Sequence, residues 1–87
     1  MKPVKTPLIV TTELWQTATM PEGVLERWLA ADGAPVRAGH AVAVVQVEDC
    51  RHDLIAPRDG RLHIAIPAGG MVEPGAVVGA IGPRAVA

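Results

Sequence analysis

The densest set of chemically capable side chains lies in one stretch, VEDCRHD, at residues 47–53. Six consecutive residues there are polar or reactive: Glu48, Asp49, Cys50, Arg51, His52 and Asp53. Thiolate, imidazole and carboxylate groups all suit Zn²⁺, so Cys50, His52 and Asp53 are candidate metal ligands. On an extended strand Cys50 and His52 would share a face, but a full tetrahedral set would need further ligands from elsewhere.

The same stretch allows two other interpretations. Cys50 could act as a working thiol, because the neighbouring Arg51 and His52 favour a thiolate, although the carboxylates around it oppose this. Alternatively, residues 48–53 form a solvated hairpin tip, where Asp is favoured and where charge protects short strands from edge pairing. We favour the solvated tip, because a run of charged residues usually forms a solvated surface.

Length and charge restrict the class of protein. With 87 residues the chain makes one small domain with a thin apolar core. Its net charge is −1 with no block of like charge, which argues against a nucleic-acid partner. No apolar run approaches the roughly 20 residues of a membrane span. A single cysteine makes no internal disulfide, so we expect a reducing cytoplasm.

The residue types also argue against catalysis. The sequence contains no serine, which excludes a serine nucleophile, and lysine occurs only at positions 2 and 5. No nucleophile–base pair and no phosphate-binding loop can be recognised. We therefore expect a protein that is not an enzyme.

Two segments of the chain resemble each other, residues 23–45 and residues 60–81. With an offset of 36 residues four identical pairs align: Gly33 with Gly69, Val36 with Val72, Gly39 with Gly75, and Val42 with Val78. One extra residue in the first copy also brings Leu25 onto Leu62. A repeat this short cannot bury its own apolar face, so two copies must pack on each other. The repeat predicts a sandwich with pseudo-two-fold symmetry.

Short runs rich in Val and Ile, bounded by Gly and Pro, predict an all-β chain. We expect strands near 7–11, 24–30, 41–47, 53–56, 61–66 and 76–81, with a loop or short strand around Trp15. The segment VLERWLAA (24–31) is ambiguous, because its apolar residues are also spaced like one face of a helix. Its counterpart RLHIAI (61–66) alternates apolar and polar residues, so the repeat favours a strand.

Three motifs in a fixed order carry a family resemblance: G-x-(L/I)-x-x-W-L-x-x-x-G-x-x-V-x-x-G at 23–39, A-P-x-x-G at 56–60, and G-x-x-V-x-x-G at 69–75. Together they resemble the biotinyl/lipoyl attachment domain family, most closely the lipoyl domains of 2-oxo acid dehydrogenase acyltransferases. The resemblance implies a flattened β-barrel of two small sheets, a barrel-sandwich hybrid. It covers residues 7–82 and implies that Trp28 packs in the core. We therefore expect a flexible N-terminal tail at 1–6 and a C-terminal tail at 83–87.

In this family the hairpin tip between the two halves carries the modified lysine, usually in D-K-A preceded by E-T. Counting back from Ala56-Pro57 places that motif on residues 46–50 and the lysine position on Asp49, between Glu48 and Cys50. The M-K-M of biotinyl domains is also absent. Lipoyl and biotinyl groups are both attached through an amide on a lysine ε-amine. The departure at Asp49 therefore implies that this tip carries neither cofactor.

The expected function is that of a non-enzymatic lipoyl-like domain with a degenerate attachment site. Such a domain would bind a protein partner, for example a component of a 2-oxo acid dehydrogenase complex. Two alternatives remain open at this point. One is a metal- or thiol-based module built on residues 48–53. The other is a structural dimerisation domain, since association would supplement the thin core of a small chain.

Overall fold

The protein is described by a computed structural model over residues 5–83. Within that range the chain forms eight short strands and one 3₁₀ helix. In chain order these are β1 (Thr6–Ile9), the 3₁₀ helix (Thr12–Trp15), β2 (Gly23–Trp28), β3 (Pro35–Val36), β4 (Ala41–Val47), β5 (Cys50–Ile55), β6 (Gly60–Ile64), β7 (Met71–Val72) and β8 (Val77–Gly82). No helix among the described residues is long and apolar enough to cross a membrane.

The strands form two antiparallel sheets, with the orders β1-β8-β6-β3 and β5-β4-β2-β7. The orders match position by position when β1, β2, β3 and β4 are exchanged with β5, β6, β7 and β8, respectively. Backbone hydrogen bonds follow the same symmetry: the Leu25 N–H donates to Gly70 O at 2.8 Å, and the Leu62 N–H donates to Ala34 O at 2.9 Å. The predicted all-β sandwich with pseudo-two-fold symmetry is confirmed.

The core lies between the two sheets and is built from small branched side chains. Leu25 and Leu62, which the repeat aligns, are both fully buried. The indole of Trp28 is half-buried against this core, as the sequence predicted, and its Nε1–H donates to Ile66 O at 2.8 Å. Each half of the repeat thus supplies one leucine at the centre of the sandwich.

The glycines of the repeat are required by the turns they occupy. Gly39 and Gly75 both have a φ of 87°, in the left-handed region where a side chain costs conformational energy. The Gly39 N–H donates to Ala56 O at 2.9 Å, and the Gly75 N–H donates to Val10 O at 2.7 Å. In each half, the V-x-x-G turn therefore ties the start of a central strand to the end of the neighbouring edge strand.

Several predicted boundaries differ from the structure. The segment after Gly23 is a strand rather than a helix, as the repeat indicated, and β4 matches its predicted range. The predicted strand 53–56 in fact begins at Cys50, and Trp15 ends a 3₁₀ helix rather than lying in a loop or strand. The two-residue strands β3 and β7 were not predicted. Residues 1–4 and 84–87, which make up most of the expected tails, lie outside the described residues.

Candidate functional site

The polar run 48–53 divides between a turn and a strand. Val47 pairs with Cys50, so the hairpin between β4 and β5 is closed by a two-residue turn, Glu48-Asp49, which we call the hairpin tip. The sequence-based interpretation of a solvated tip over all six residues is therefore too broad. Cys50, Arg51, His52 and Asp53 belong to β5 and pair with β4. Only Glu48 and Asp49 project beyond the sheet.

Glu48 has a backbone conformation that side chains seldom adopt. Its φ is 53°, and it is the one non-glycine residue with positive φ in the part of the chain that is described. Two-residue hairpins need positive φ to match the twist of their strands, which is why Gly and Asn usually occupy them. A glutamate here requires compensation from contacts elsewhere in the molecule.

The Glu48 carboxylate provides that compensation by binding the loop that precedes β2. Its Oε2 accepts hydrogen bonds from the Thr19 N–H at 2.7 Å, the Thr19 hydroxyl at 3.1 Å and the Met20 N–H at 3.2 Å. The Gln46 side-chain amide also donates to Glu48 O at 3.2 Å. The backbone N–H groups of Thr19 and Met20 hold the pKa of Glu48 below its usual value; desolvation opposes them, and the Thr19 hydroxyl adds the smallest lowering effect.

The loop itself is fixed by Trp15. The indole is buried, and its Nε1–H donates to Glu22 O at 3.2 Å. A Cβ on Gly23 would lie 2.9 Å from Cζ2 of Trp15, so glycine at that position leaves room for the ring. Trp15 therefore holds the loop against the core, and the Glu48 carboxylate bonds the loop to the hairpin tip.

A cleft of about 320 Å³ lies between this loop and the hairpin. Cys50 and His52 both line it, along with the carboxylates Glu13, Glu48 and Asp49. We call it the tip cleft. The predicted shared face of Cys50 and His52 is consistent with the alternation of β5, in which Leu54 continues the same face into the core.

Asp53 does not complete a metal site with these two residues. Side chains alternate along β5, so Asp53 and Arg51 point to the outer face of the sheet, away from Cys50 and His52. On that outer face the Arg51 Nε donates to Glu26 Oε1 at 2.9 Å. Among residues 5–83 no group of three or more His, Cys, Asp or Glu side chains is placed to hold a metal ion. The candidate set of Cys50, His52 and Asp53 is thus divided between two faces.

Replacing Glu48 with glutamine should remove a pH-dependent part of the stability. A carboxylate whose pKa is lowered on folding stabilises the native state at pH values above its pKa in the unfolded chain. That contribution is lost as the pH falls through the lower pKa of the folded state. The free energy of unfolding, measured by urea titration, should therefore be higher for the wild type than for Glu48→Gln at pH 7. The difference should shrink in strongly acidic solution.

Glu13→Gln is the matched control, because Glu13 is an exposed carboxylate on the same cleft. This change should leave the difference between neutral and acidic stability close to that of the wild type. Equal pH profiles for Glu48→Gln and the wild type would show that the contacts with Thr19 and Met20 contribute nothing to folding.

Comparison with known proteins identifies a family. A protein-family model described as "Biotin-requiring enzyme", which represents biotinyl/lipoyl domains, matches residues 16–81. The match begins next to the 3₁₀ helix and ends in β8, so it includes the hairpin tip and both halves of the repeat. A search of curated proteins gave no match.

Proposed function

Because the chain belongs to the biotinyl/lipoyl attachment domain family, we propose that it is a non-enzymatic member with a degenerate attachment site that acts by binding a protein partner. The observation that carries this proposal is the hairpin tip. Its two residues are Glu48 and Asp49, and the family resemblance puts the modified lysine on the second of them. Asp49 is exposed there, so the position is accessible but offers a carboxylate in place of an amine.

The residues present do not fit a lipoyl or biotinyl group. Attachment requires an amine nitrogen that attacks an activated acyl group, and the side chains of Glu48, Asp49 and Cys50 contain no nitrogen. Lysine occurs only at positions 2 and 5. Lys5 immediately precedes β1, whose first residue, Thr6, pairs with Ile81 near the end of β8. By the pseudo-two-fold symmetry, that is the end of the domain opposite the hairpin tip.

The surface around the tip is suited to protein binding. Three carboxylates, from Glu13, Glu48 and Asp49, line the tip cleft, so a partner with a basic surface would be attracted to this end. Met20, which follows Thr19 in the fastened loop, is 54% exposed and offers an apolar contact beside these charges. The family resemblance suggests a component of a 2-oxo acid dehydrogenase complex as this partner.

Binding can be measured by surface plasmon resonance with the chain held through an N-terminal tag, which leaves the hairpin tip free. The purified decarboxylase, acyltransferase and dihydrolipoyl dehydrogenase components would be the analytes. We expect one of them to bind, and Asp49→Arg to weaken that binding by about five- to tenfold, mainly through the association rate. Arg37→Glu reverses an exposed charge at the opposite end of the domain and should change binding less than about twofold.

Two outcomes would contradict the proposal. One is that none of the three components binds the wild-type chain. The other is that Asp49→Arg and Arg37→Glu weaken binding equally, which would place the contact away from the hairpin tip.

A further inference from the structure

Strand β5 is a long edge of its sheet. It contains six residues, and among the described strands it pairs with β4 alone, in regular register from Cys50 to Leu54 and with a register shift between Ala41 and Ala43. Because Val47 and Cys50 close a two-residue turn, they form a hydrogen-bonded pair. Along the ladder from there, hydrogen-bonded pairs alternate with pairs that are not hydrogen-bonded. The backbone N–H and C=O groups of Arg51 and Asp53 consequently point outward. Within residues 5–83 these outward groups have no backbone partner beyond the sheet.

The other three edges are protected against pairing with another chain. β1 contains Pro7 and follows Lys5. β3 and β7 each contain only two residues, and β3 begins with Pro35. Proline, lysine, other charged residues and short length are the usual protections of sheet edges. β5 contains neither proline nor lysine, and its charges Arg51 and Asp53 are of opposite sign, so they disfavour pairing with most strands but not with a strand of complementary charge.

The charges on β5 are complementary to those of a second β5 strand and favour one register of the pair. Arg51 and Asp53 have opposite charges on the same outer face, two residues apart. In an antiparallel pair of two β5 strands centred on His52, each Arg51 stands opposite the Asp53 of the second copy, and both residues use their outward backbone groups. Moving the register by two residues, the smallest shift that keeps the outward backbone groups paired, would put Arg51 opposite Arg51 or Asp53 opposite Asp53. Either arrangement is unfavourable, because like charges would face each other.

The Arg51 side chain remains able to bind a second carboxylate. Its Nε bonds to Glu26, and the guanidinium carries four further N–H donors on its two terminal nitrogens. The Arg51 side chain is 69% exposed, so those donors are accessible. An Asp53 from a second copy would then form a row of charges with Arg51 and Glu26 across the joined sheets.

We propose that two copies of this chain associate through antiparallel pairing of their β5 strands, with His52 of each copy on the two-fold axis. The contact joins two four-stranded sheets into one of eight strands. It uses the same surface on both copies, so it closes as a dimer and does not propagate. A single pair of edge strands buries less area than a stable interface does, so the dimer is weak and depends on concentration.

Disulfide trapping tests the register. In a Cys50→Ala background, a cysteine at position 52 would stand opposite its copy with Cα atoms about 4.5 Å apart, within the range for a disulfide. In the wild-type chain Cys50 would instead stand opposite Leu54 of the second copy, so the two Cys50 residues would lie beyond that range. Under mild oxidation we expect the Cys50→Ala/His52→Cys chain to form covalent dimers about tenfold faster than the wild-type chain, which keeps Arg51 and Asp53. Equal rates for the two chains would overturn the proposed register.

Charge exchange tests the same contact without cysteine chemistry. Arg51→Asp and Asp53→Arg should each weaken the dimer about tenfold in sedimentation equilibrium, because each opposes like charges. The double variant Arg51→Asp/Asp53→Arg restores opposite charges and should regain most of the affinity. A double variant as weak as the single variants, or single variants as strong as the wild type, would overturn the proposal. Neither experiment depends on the tip or its partner, so the two proposals fail independently.

Discussion

Asp49→Lys is expected to make the hairpin tip an acceptor for a lipoyl or biotinyl group. The change puts an amine on the second residue of an exposed two-residue turn, in a chain that the family model matches on both sides of that turn. The surrounding fold is already present, so the missing requirement is the nucleophilic nitrogen. Incubation with a lipoate ligase or a biotin ligase should raise the intact mass of this variant by one cofactor group, whereas the wild type should remain unchanged.

Arg51→Lys is the matched control for this experiment. It also introduces a lysine, but within β5, two residues beyond Asp49, and should stay unmodified. Modification of both variants would mean that the ligase does not distinguish the tip from the strand. An Asp49→Lys variant that folds yet accepts neither group would contradict the assignment of Asp49 to the attachment position.

Leu25→Ala and Leu62→Ala are each expected to destabilise the domain by about 2–5 kcal/mol. Both side chains are fully buried, and the repeat puts them in equivalent positions in the two sheets. Truncation removes apolar contacts and leaves a cavity that a core of small side chains cannot easily fill. A domain of this size has a total stability of about 4–13 kcal/mol, so either change removes a large fraction of it. Urea titration would measure the free energy of unfolding.

The control for the core prediction is Leu29→Ala, because Leu29 follows β2 and is 46% exposed. Its cost should be within about 1 kcal/mol. If Leu62→Ala cost no more than Leu29→Ala while Leu25→Ala cost several times as much, the two halves would not share the core equally. The structural symmetry would then not extend to the energetics.

The architecture was predictable because it rests on local periodicity and on the repeat. Alternation in RLHIAI settled the strand assignment of its ambiguous counterpart, VLERWLAA, and the aligned glycines of the V-x-x-G turns marked where each central strand begins. β3 and β7 were not predicted, because two residues are too few to show the alternation of a strand. They exist because Val36 and Val72 are drawn into the core beside β6 and β2.

The candidate site was less predictable, because its main contacts join residues far apart in sequence. Counting along the family motif put Asp49 at the hairpin tip, and the structure has it as the second residue of the two-residue turn. The hydrogen bonds from Thr19 and Met20 to Glu48 span 29 and 28 residues, and no local pattern indicates them. The hypothesis of a metal site on Cys50, His52 and Asp53 required knowing where the turn ends. Because β5 begins at Cys50, the alternation of side chains along the strand puts Asp53 on the face opposite Cys50 and His52.

The account as a whole depends most directly on the covalent state of the hairpin tip. The decisive measurement is the intact mass of the protein purified from its own host, followed by peptide mapping of residues 41–58. We predict the mass of the unmodified polypeptide, with Asp49 and Cys50 unchanged in the peptide that contains the tip. An added mass equal to a lipoyl or biotinyl group, at the tip or on Lys2 or Lys5, would contradict the proposal that this domain acts without a carried cofactor.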